Sequence, residues 1–217
     1  AFAGGGGTQF DNLAFWGVRA ALSCLLAPTA ITIPAAATVR AQAVSFIHLR
    51  PSQEPVGMVE GFDLARFNDI QPAYQASPGV AYDLWMYEWR PVSPAFELFS
   101  IDFASEPHDL SAPLATILSG PMAGQKVRDI PLESEGFCHG VILWLDWTLA
   151  PGLEVSGGAS SSGIDANKQV VKFLEQTADL APTGDARPRL RIDAASFDAA
   201  ECLPSFAFSV HFDQDPL

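Results

Sequence analysis

The side chains with the most reactive chemistry are four histidines (His48, His108, His139, His211) and three cysteines (Cys24, Cys138, Cys202). No two histidines stand at H-x-x-x-H or H-E-x-x-H spacing and no C-x-x-C occurs, so local spacing builds no metal site. An odd number of widely separated cysteines also argues against a disulfide framework. Cys138 and His139 are adjacent, but neighbours on a strand point to opposite faces. A nucleophilic thiol–imidazole pair needs the two groups facing each other. The nucleophile-elbow pattern fails at the last position of Gly158-Ala159-Ser160-Ser161-Ser162, which reads as a flexible loop. Gly4 to Gly7 extends neither to G-x-G-x-x-G nor to a Gly-Lys-Ser/Thr phosphate loop.

Carboxylates are the remaining chemical resource. Glu133 and Glu135 would share one face of an extended strand and form a pair of acids, but a solvated acidic edge is the reading preferred here. Asp63, Asp102 and Asp146 interrupt apolar runs. Asp146, beside Trp147, is expected to hydrogen-bond across strands without a catalytic duty. Trp85, Tyr87, Trp89, Trp144 and Trp147 would stack on a sugar only if their rings were exposed and coplanar. Their alternation along strands places them in a core instead.

These residues need elements to hold them. The chain has 217 residues, 48% of them hydrophobic, which suffices for a buried core in one domain or one domain plus part of another. Lys and Arg number 12 against 25 Asp and Glu, a net charge of −13. That balance argues against holding nucleic acid or an anionic membrane by charge. Seventeen glycines and seventeen prolines make long helices unfavourable, and 11% aromatic residues suit a β-rich chain. Leu13, Trp16, Ala20 and Cys24 recur at helical spacing, predicting a helix over about 12–26 that Pro28 ends. Strands are expected at 38–47, 84–90, 96–103, 141–149 and 168–174, with a terminal hairpin at 189–194 and 205–212. A short helix is expected at 62–70, a break at 72–79, and loops at 50–60 and 152–165. Val141 to Leu149 is apolar on both faces, as a central strand is. The pattern implies a mainly β fold, a barrel or sandwich, with one helix ahead of it.

Ala20 to Val39 is twenty residues without a charge, the length of a membrane span. Pro28 and Pro34 interrupt it, which a lipid-exposed helix would not tolerate. Arg19, this run and Ala41-Gln42-Ala43 also imitate the three regions of a secretory signal. A secreted β-sandwich binding a ligand or carbohydrate is therefore the competing expectation. The chain opens on Ala1-Phe2-Ala3 with no Met, and is read as a fragment or processed product.

Five segments in order carry a family resemblance. Asn12-Leu13-Ala14-Phe15-Trp16-Gly17-Val18-Arg19 leads to Leu25-Leu26-Ala27-Pro28, then to Ile31-Thr32-Ile33-Pro34-Ala35-Ala36-Ala37-Thr38-Val39. Glu60-Gly61-Phe62-Asp63-Leu64, Phe99-Ser100-Ile101-Asp102-Phe103, Cys138-His139-Gly140-Val141-Ile142-Leu143-Trp144-Leu145-Asp146 and Asn167-Lys168-Gln169-Val170-Val171 follow. Over about residues 10–175 this resembles the protein arginine methyltransferases, and most of all the second, C-terminal module of a tandem member.

The resemblance implies a β-barrel of the arginine-methyltransferase type preceded by the last helix of a Rossmann-like fold. Residues 1–34 would be the truncated end of that fold and 35–217 the barrel, with an arm-like insertion near 61–80. The family uses S-adenosylmethionine, held by a glycine-rich turn that no residue here supplies. Its two glutamates hold the substrate guanidinium through bidentate contacts. The matching places read Thr8 and Trp16, and the family's His-Trp pair reads Ala166 and Asn167. An indole accepts no hydrogen bond from a guanidinium. The implied role is a non-catalytic module binding no cofactor of its own. Its parent would use S-adenosylmethionine to methylate arginines in basic proteins, in cytoplasm or nucleus. Its partner would be the N-terminal catalytic module, with no nucleic acid and no membrane involved.

Overall fold

The computed structural model describes residues 9–69, 79–104, 118–120, 127–133, 135–159, 168–181, 186–198 and 203–214. Its first segment is helical in three short pieces. A 3₁₀ turn at Gln9–Ala14 precedes α1 (Phe15–Ala21), and a second 3₁₀ turn covers Ser23–Leu25. One continuous helix was the expectation. Helices draw most of their stability from packing an apolar face. Phe10 and Leu13 are buried and Phe15 packs beside them, but Val18, Leu22 and Leu25 are exposed. Gly17 inside α1 costs roughly 1 kcal/mol against alanine.

The rest is strands. They are β1 (Ala36–Phe46), β2 (Met58–Val59), β3 (Phe62–Asp63), β4 (Val80–Tyr82), β5 (Trp89–Pro91), β6 (Phe96–Asp102) and β7 (Leu118–Ser119). Then come β8 (Val127–Pro131), β9 (Phe137–Ala150), β10 (Leu153–Ser156), β11 (Gln169–Asp179), β12 (Ala186–Asp198) and β13 (Leu203–Gln214). One sheet runs β4-β11-β9-β1-β6-β7, with β10 also on β9 and β5 also on β1. A second runs β13-β12-β8, and β2-β3 is a separate hairpin.

The β9 strand is central, as its two apolar faces implied. It pairs antiparallel with β1 from Ala36↔Thr148 to Val44↔Gly140, and with β11 on its other side. Val141, Leu143, Leu145 and Trp147 enter the main core, while Ile142 and Trp144 enter a second cluster with Val44, Phe46, Leu49 and Leu84. Gly140 lets β9 and β11 approach closely. A Cβ there would lie 2.5 Å from the Lys172 carbonyl oxygen and 3.0 Å from Phe173 Cα.

The two sheets share one core, which takes Val39, Ala41 and Leu145 from the first and Ile130, Leu190 and Ile192 from the second. Arg128 ties them together, donating from Nη1 to the Glu97 carbonyl at 2.8 Å with its guanidinium 5.9 Å from the Phe96 ring centre. The fold is mainly β, as expected. Among the described residues no hydrogen-bonded ladder joins the two sheets, the first ending at β4 and β7 and the second at β13 and β8.

Several local expectations change. The segment 84–90 is not one strand. Leu84–Met86 is a 3₁₀ turn and pairing starts only at Trp89. A buried Gln169 explains the turn, accepting the Leu84 N–H at 3.4 Å and pinning the chain there. Residues 62–70 begin as a strand, because Glu60 and Gly61 both have positive φ (50° and 86°) and form a two-residue hairpin turn. A 3₁₀ turn at Ala65–Asp69 follows. The expected loop at 50–60 contains a 3₁₀ turn and β2, and the one at 152–165 opens with β10. Residues 72–78, within the expected break, lie outside the described residues. The terminal hairpin forms as expected, with Phe208 and Val210 packed on the core and Phe212 40% exposed.

Candidate functional site

The candidate positions fall in three places. Residues 9–34 form the first. Arg19, in the last turn of α1, donates from Nε to Thr32 Oγ1 at 3.2 Å and ties the helix to the segment after it. Around that tie the surface is apolar. Val18, Leu22, Leu25, Leu26, Ile31 and Ile33 are all exposed, Leu25 to 76% and Ile31 to 85%. Among the described residues no helix is long and apolar enough to cross a membrane. Trp16 lies in α1, but its side chain, like the whole of Thr8, is outside the described residues. No glutamate precedes Glu54 in the sequence.

The second place is the start of β11. Gln169 donates from Nε2 to the Gly157 carbonyl at 2.8 Å, and Lys168 pairs with Asp83 at 4.0 Å. These contacts position the chain directly after Ala166 and Asn167, which themselves lie outside the described residues.

The third is the face of β1 and β9 opposite the core. Asp146 Oδ1 accepts from Trp144 Nε1 at 3.0 Å and from Ser156 Oγ at 2.5 Å, while its Oδ2 pairs with Arg40 Nε at 2.5 Å. The carboxylate is thus held by neighbours on β1, β9 and β10. That matches the structural role its sequence context implied. Thr38 and Ser100 hydroxyls share a hydrogen bond at 2.8 Å on the same face.

The other candidates separate. Cys138 is fully buried and its thiol is pushed up to about 12 by burial, so it forms no thiolate nucleophile. His139 is half-buried and its pKa is lowered, first by burial and then by the Arg50 charge, partly offset by Glu54. Its Nδ1 accepts the Phe46 N–H at 2.9 Å, taking the place of a strand carbonyl. Arg50 was not foreseen. It is 5% exposed, lies 5.6 Å from the Phe173 ring centre and donates to the Glu175 carbonyl at 3.4 Å. Its setting, between Leu49 and Pro51, carries no sequence signal of burial.

Glu133 and Glu135 are exposed, as a solvated edge requires. Arg90 pairs with the Glu133 carboxylate at 3.2 Å and donates to the Glu135 carbonyl at 3.0 Å. Asp63 and Asp102 each accept a backbone N–H two residues on, at 3.0 and 2.8 Å, and act as turn formers. His48 is exposed, and His211 sits 3.1 Å from Asp213. His108 and Cys202 are outside the described residues. Among the described residues no cluster of His, Cys, Asp or Glu is arranged to hold a metal. Trp144 and Trp147 are buried as expected. Trp85 and Tyr87 are not, being 67% and 37% exposed, because Leu84 takes the buried position of the turn.

Protein arginine N-methyltransferase 7 of Mus musculus is 32% identical to this chain over 186 residues, 79% of the chain and 25% of its own length. Protein arginine N-methyltransferase 1.6 of Arabidopsis thaliana is 30% identical over 177 residues, 77% of the chain and 22% of its own length. The chain belongs to the protein arginine N-methyltransferase family. It spans about a quarter of the length of the curated family members it matches. No protein-family model matches it. Among solved structures, the Trypanosoma brucei PRMT1 enzyme–prozyme heterotetrameric complex with AdoHcy superposes with a TM-score of 0.59 at 14% identity. The match covers 96% of this chain and 62% of that one, and it shows a shared fold.

Proposed function

We propose that the chain is a non-catalytic, architectural module of a protein arginine methyltransferase. One observation carries the reading. The family's helix-and-turn segment, residues 9–34, presents exposed Val18, Leu22, Leu25, Leu26, Ile31 and Ile33 and contains no glutamate. Six exposed large apolar side chains within residues 18–33 have the composition of an interaction surface. The family's guanidinium site uses two carboxylates, and the segment holds only one, Asp11. The segment therefore suits docking and not chemistry. On this reading residues 1–34 are the end of a Rossmann-like fold, 35–217 are the barrel-type domain, and the exposed hairpin β2–β3 opens an arm reaching to about residue 80.

The partner is then the N-terminal catalytic module of the same parent. The parent transfers methyl groups from S-adenosylmethionine to arginines of basic proteins, which a net charge of −13 helps to gather. Cytoplasm and nucleus are the compartments that fit this work. Thr8, Trp16, Ala166 and Asn167 occupy the family's substrate-contacting places, and none of the four is acidic or imidazole-bearing. Isothermal titration of the chain with S-adenosylmethionine is expected to show no binding. Micromolar binding would overturn the reading.

A further inference from the structure

The β11 strand breaks its ladder with β9 between Phe173 and Ala178. The register jumps from Phe173↔Gly140 to Ala178↔Cys138, so residues 174–177 oppose the single residue His139. Such a bulge leaves its extra residues out of the ladder. Leu174 is buried in the main core, and pairing resumes at Ala178. The part outside the core is Glu175-Gln176-Thr177, all three exposed and lining a cleft of about 660 Å³.

Two side chains from other elements meet at this bulge. Arg50, only 5% exposed, donates from Nη2 to the Glu175 carbonyl at 3.4 Å and lies 5.6 Å from the Phe173 ring centre. His139 stands opposite. Its Nδ1 accepts the Phe46 N–H at 2.9 Å and lies 3.3 Å from Ser45 Oγ. That bond needs a bare lone pair on Nδ1, so the ring is neutral with its proton on Nε2. A proton on Nδ1 turns the acceptor into a donor facing another donor. The charges acting on the ring are Arg50 first and Glu54 second, both from the segment after β1. Glu54 and Glu175 are exposed, so water and salt screen them, whereas Arg50 is buried. The other neighbours of the ring are uncharged: Ser45 and Phe46 on β1, and Phe137 on β9. Protonation of His139 therefore sets a second cation against Arg50 as the ring loses its backbone donor.

We propose that His139 and Arg50 form a proton-operated latch on the β11 bulge: the neutral ring leaves Arg50 on the Glu175 carbonyl, and the protonated ring releases it and frees residues 175–177. The latch does not depend on the methyltransferase reading. While it is closed, burial and Arg50 hold the His139 pKa below the ordinary 6.5. The open form regains the ordinary value and binds the proton more tightly. The closed form is therefore favoured fully above pH 6.5 and loses ground as the pH falls below it.

Hydrogen exchange on the whole chain tests the latch, read by mass spectrometry at about pH 7.5 and about pH 5 and corrected for the intrinsic rate at each. Protection of 173–179 is expected to fall at least about threefold at the lower pH, while that of 141–145 on β9 holds. His139→Asn keeps an acceptor near the Nδ1 position and takes no charge, so its 173–179 stretch is expected to ignore pH. Arg50→Met is expected to exchange fast there at both pH values, and to raise the pH at which the His139 ring titrates by NMR. Equal protection of 173–179 at the two pH values in the unaltered chain would overturn the proposal, and that comparison needs no variant. So would a fall that persists in His139→Asn, an equal fall at 141–145, or a His139 titration unmoved by Arg50→Met.

Discussion

Residues 18–33 and the β1–β9 pair are equally apolar in sequence and opposite in fate. In β1 and β9, Val39, Ala41, Val141 and Leu145 are wholly buried, while Leu25 and Ile31 stand mostly in water. The difference is the covering layer. Each face of β9 has a second layer against it, whereas the far side of α1 has none among the described residues. Burial is therefore a property of the pair of surfaces and not of the run of residues. The exposed run matters because a protein does not normally leave such a surface uncovered.

Two of the three cysteines sharpen this contrast most. Cys24 is exposed in the first region and Cys138 is buried in the second. Iodoacetamide labelling of the native chain, read peptide by peptide by mass spectrometry, is expected to modify Cys24 at least about 10³-fold faster. Cys138 must wait for opening, and the open fraction of a stable domain is about 10⁻³ or less. Comparable rates would break the comparison.

Next comes packing. Leu145→Ala is expected to destabilise by about 2–5 kcal/mol in urea unfolding, the range for a buried leucine. Leu25→Ala is expected to stay within about 0.5 kcal/mol, as exposed positions do. A large loss at Leu25 would mean that the chain itself covers this residue.

The smallest effect concerns His139, at the end of the β1–β9 ladder. Its Nδ1 accepts the Phe46 N–H only while the ring is neutral there, and its folded-state pKa lies below the ordinary value of 6.5. The unfolded chain then binds the proton first. The contribution is complete above pH 6.5 and falls as the pH drops below it, towards the lower folded-state value. Urea-unfolding stability is expected to be lower below pH 6.5 than at pH 7.5. His139→Phe should remove this part of the pH dependence. An unchanged pH profile in that variant would assign the effect to other groups.

Much of the strand layout was legible in the sequence. Alternation in Thr38 to Ile47, two apolar faces in Val141 to Leu149 and the apolar side of Ser205 to Phe212 each correspond to observed strands. The structural role of Asp146 was readable too, since a carboxylate beside indoles on a central strand needs donors nearby. The turn at Leu84 was not readable, because it depends on Gln169, 85 residues away in sequence. Arg50 was hidden for the same reason, its ring partner and its carbonyl acceptor both lying on β11.

What the sequence determined by itself is which residues share a face, because the period of two in a strand is set by backbone geometry. Its ordered motifs also determined the family. Only the tertiary structure decided which faces are covered, because covering depends on the element that arrives from elsewhere in the chain. It buried Cys138 and Arg50, exposed Trp85 and Leu25, and brought the two sheets onto one core.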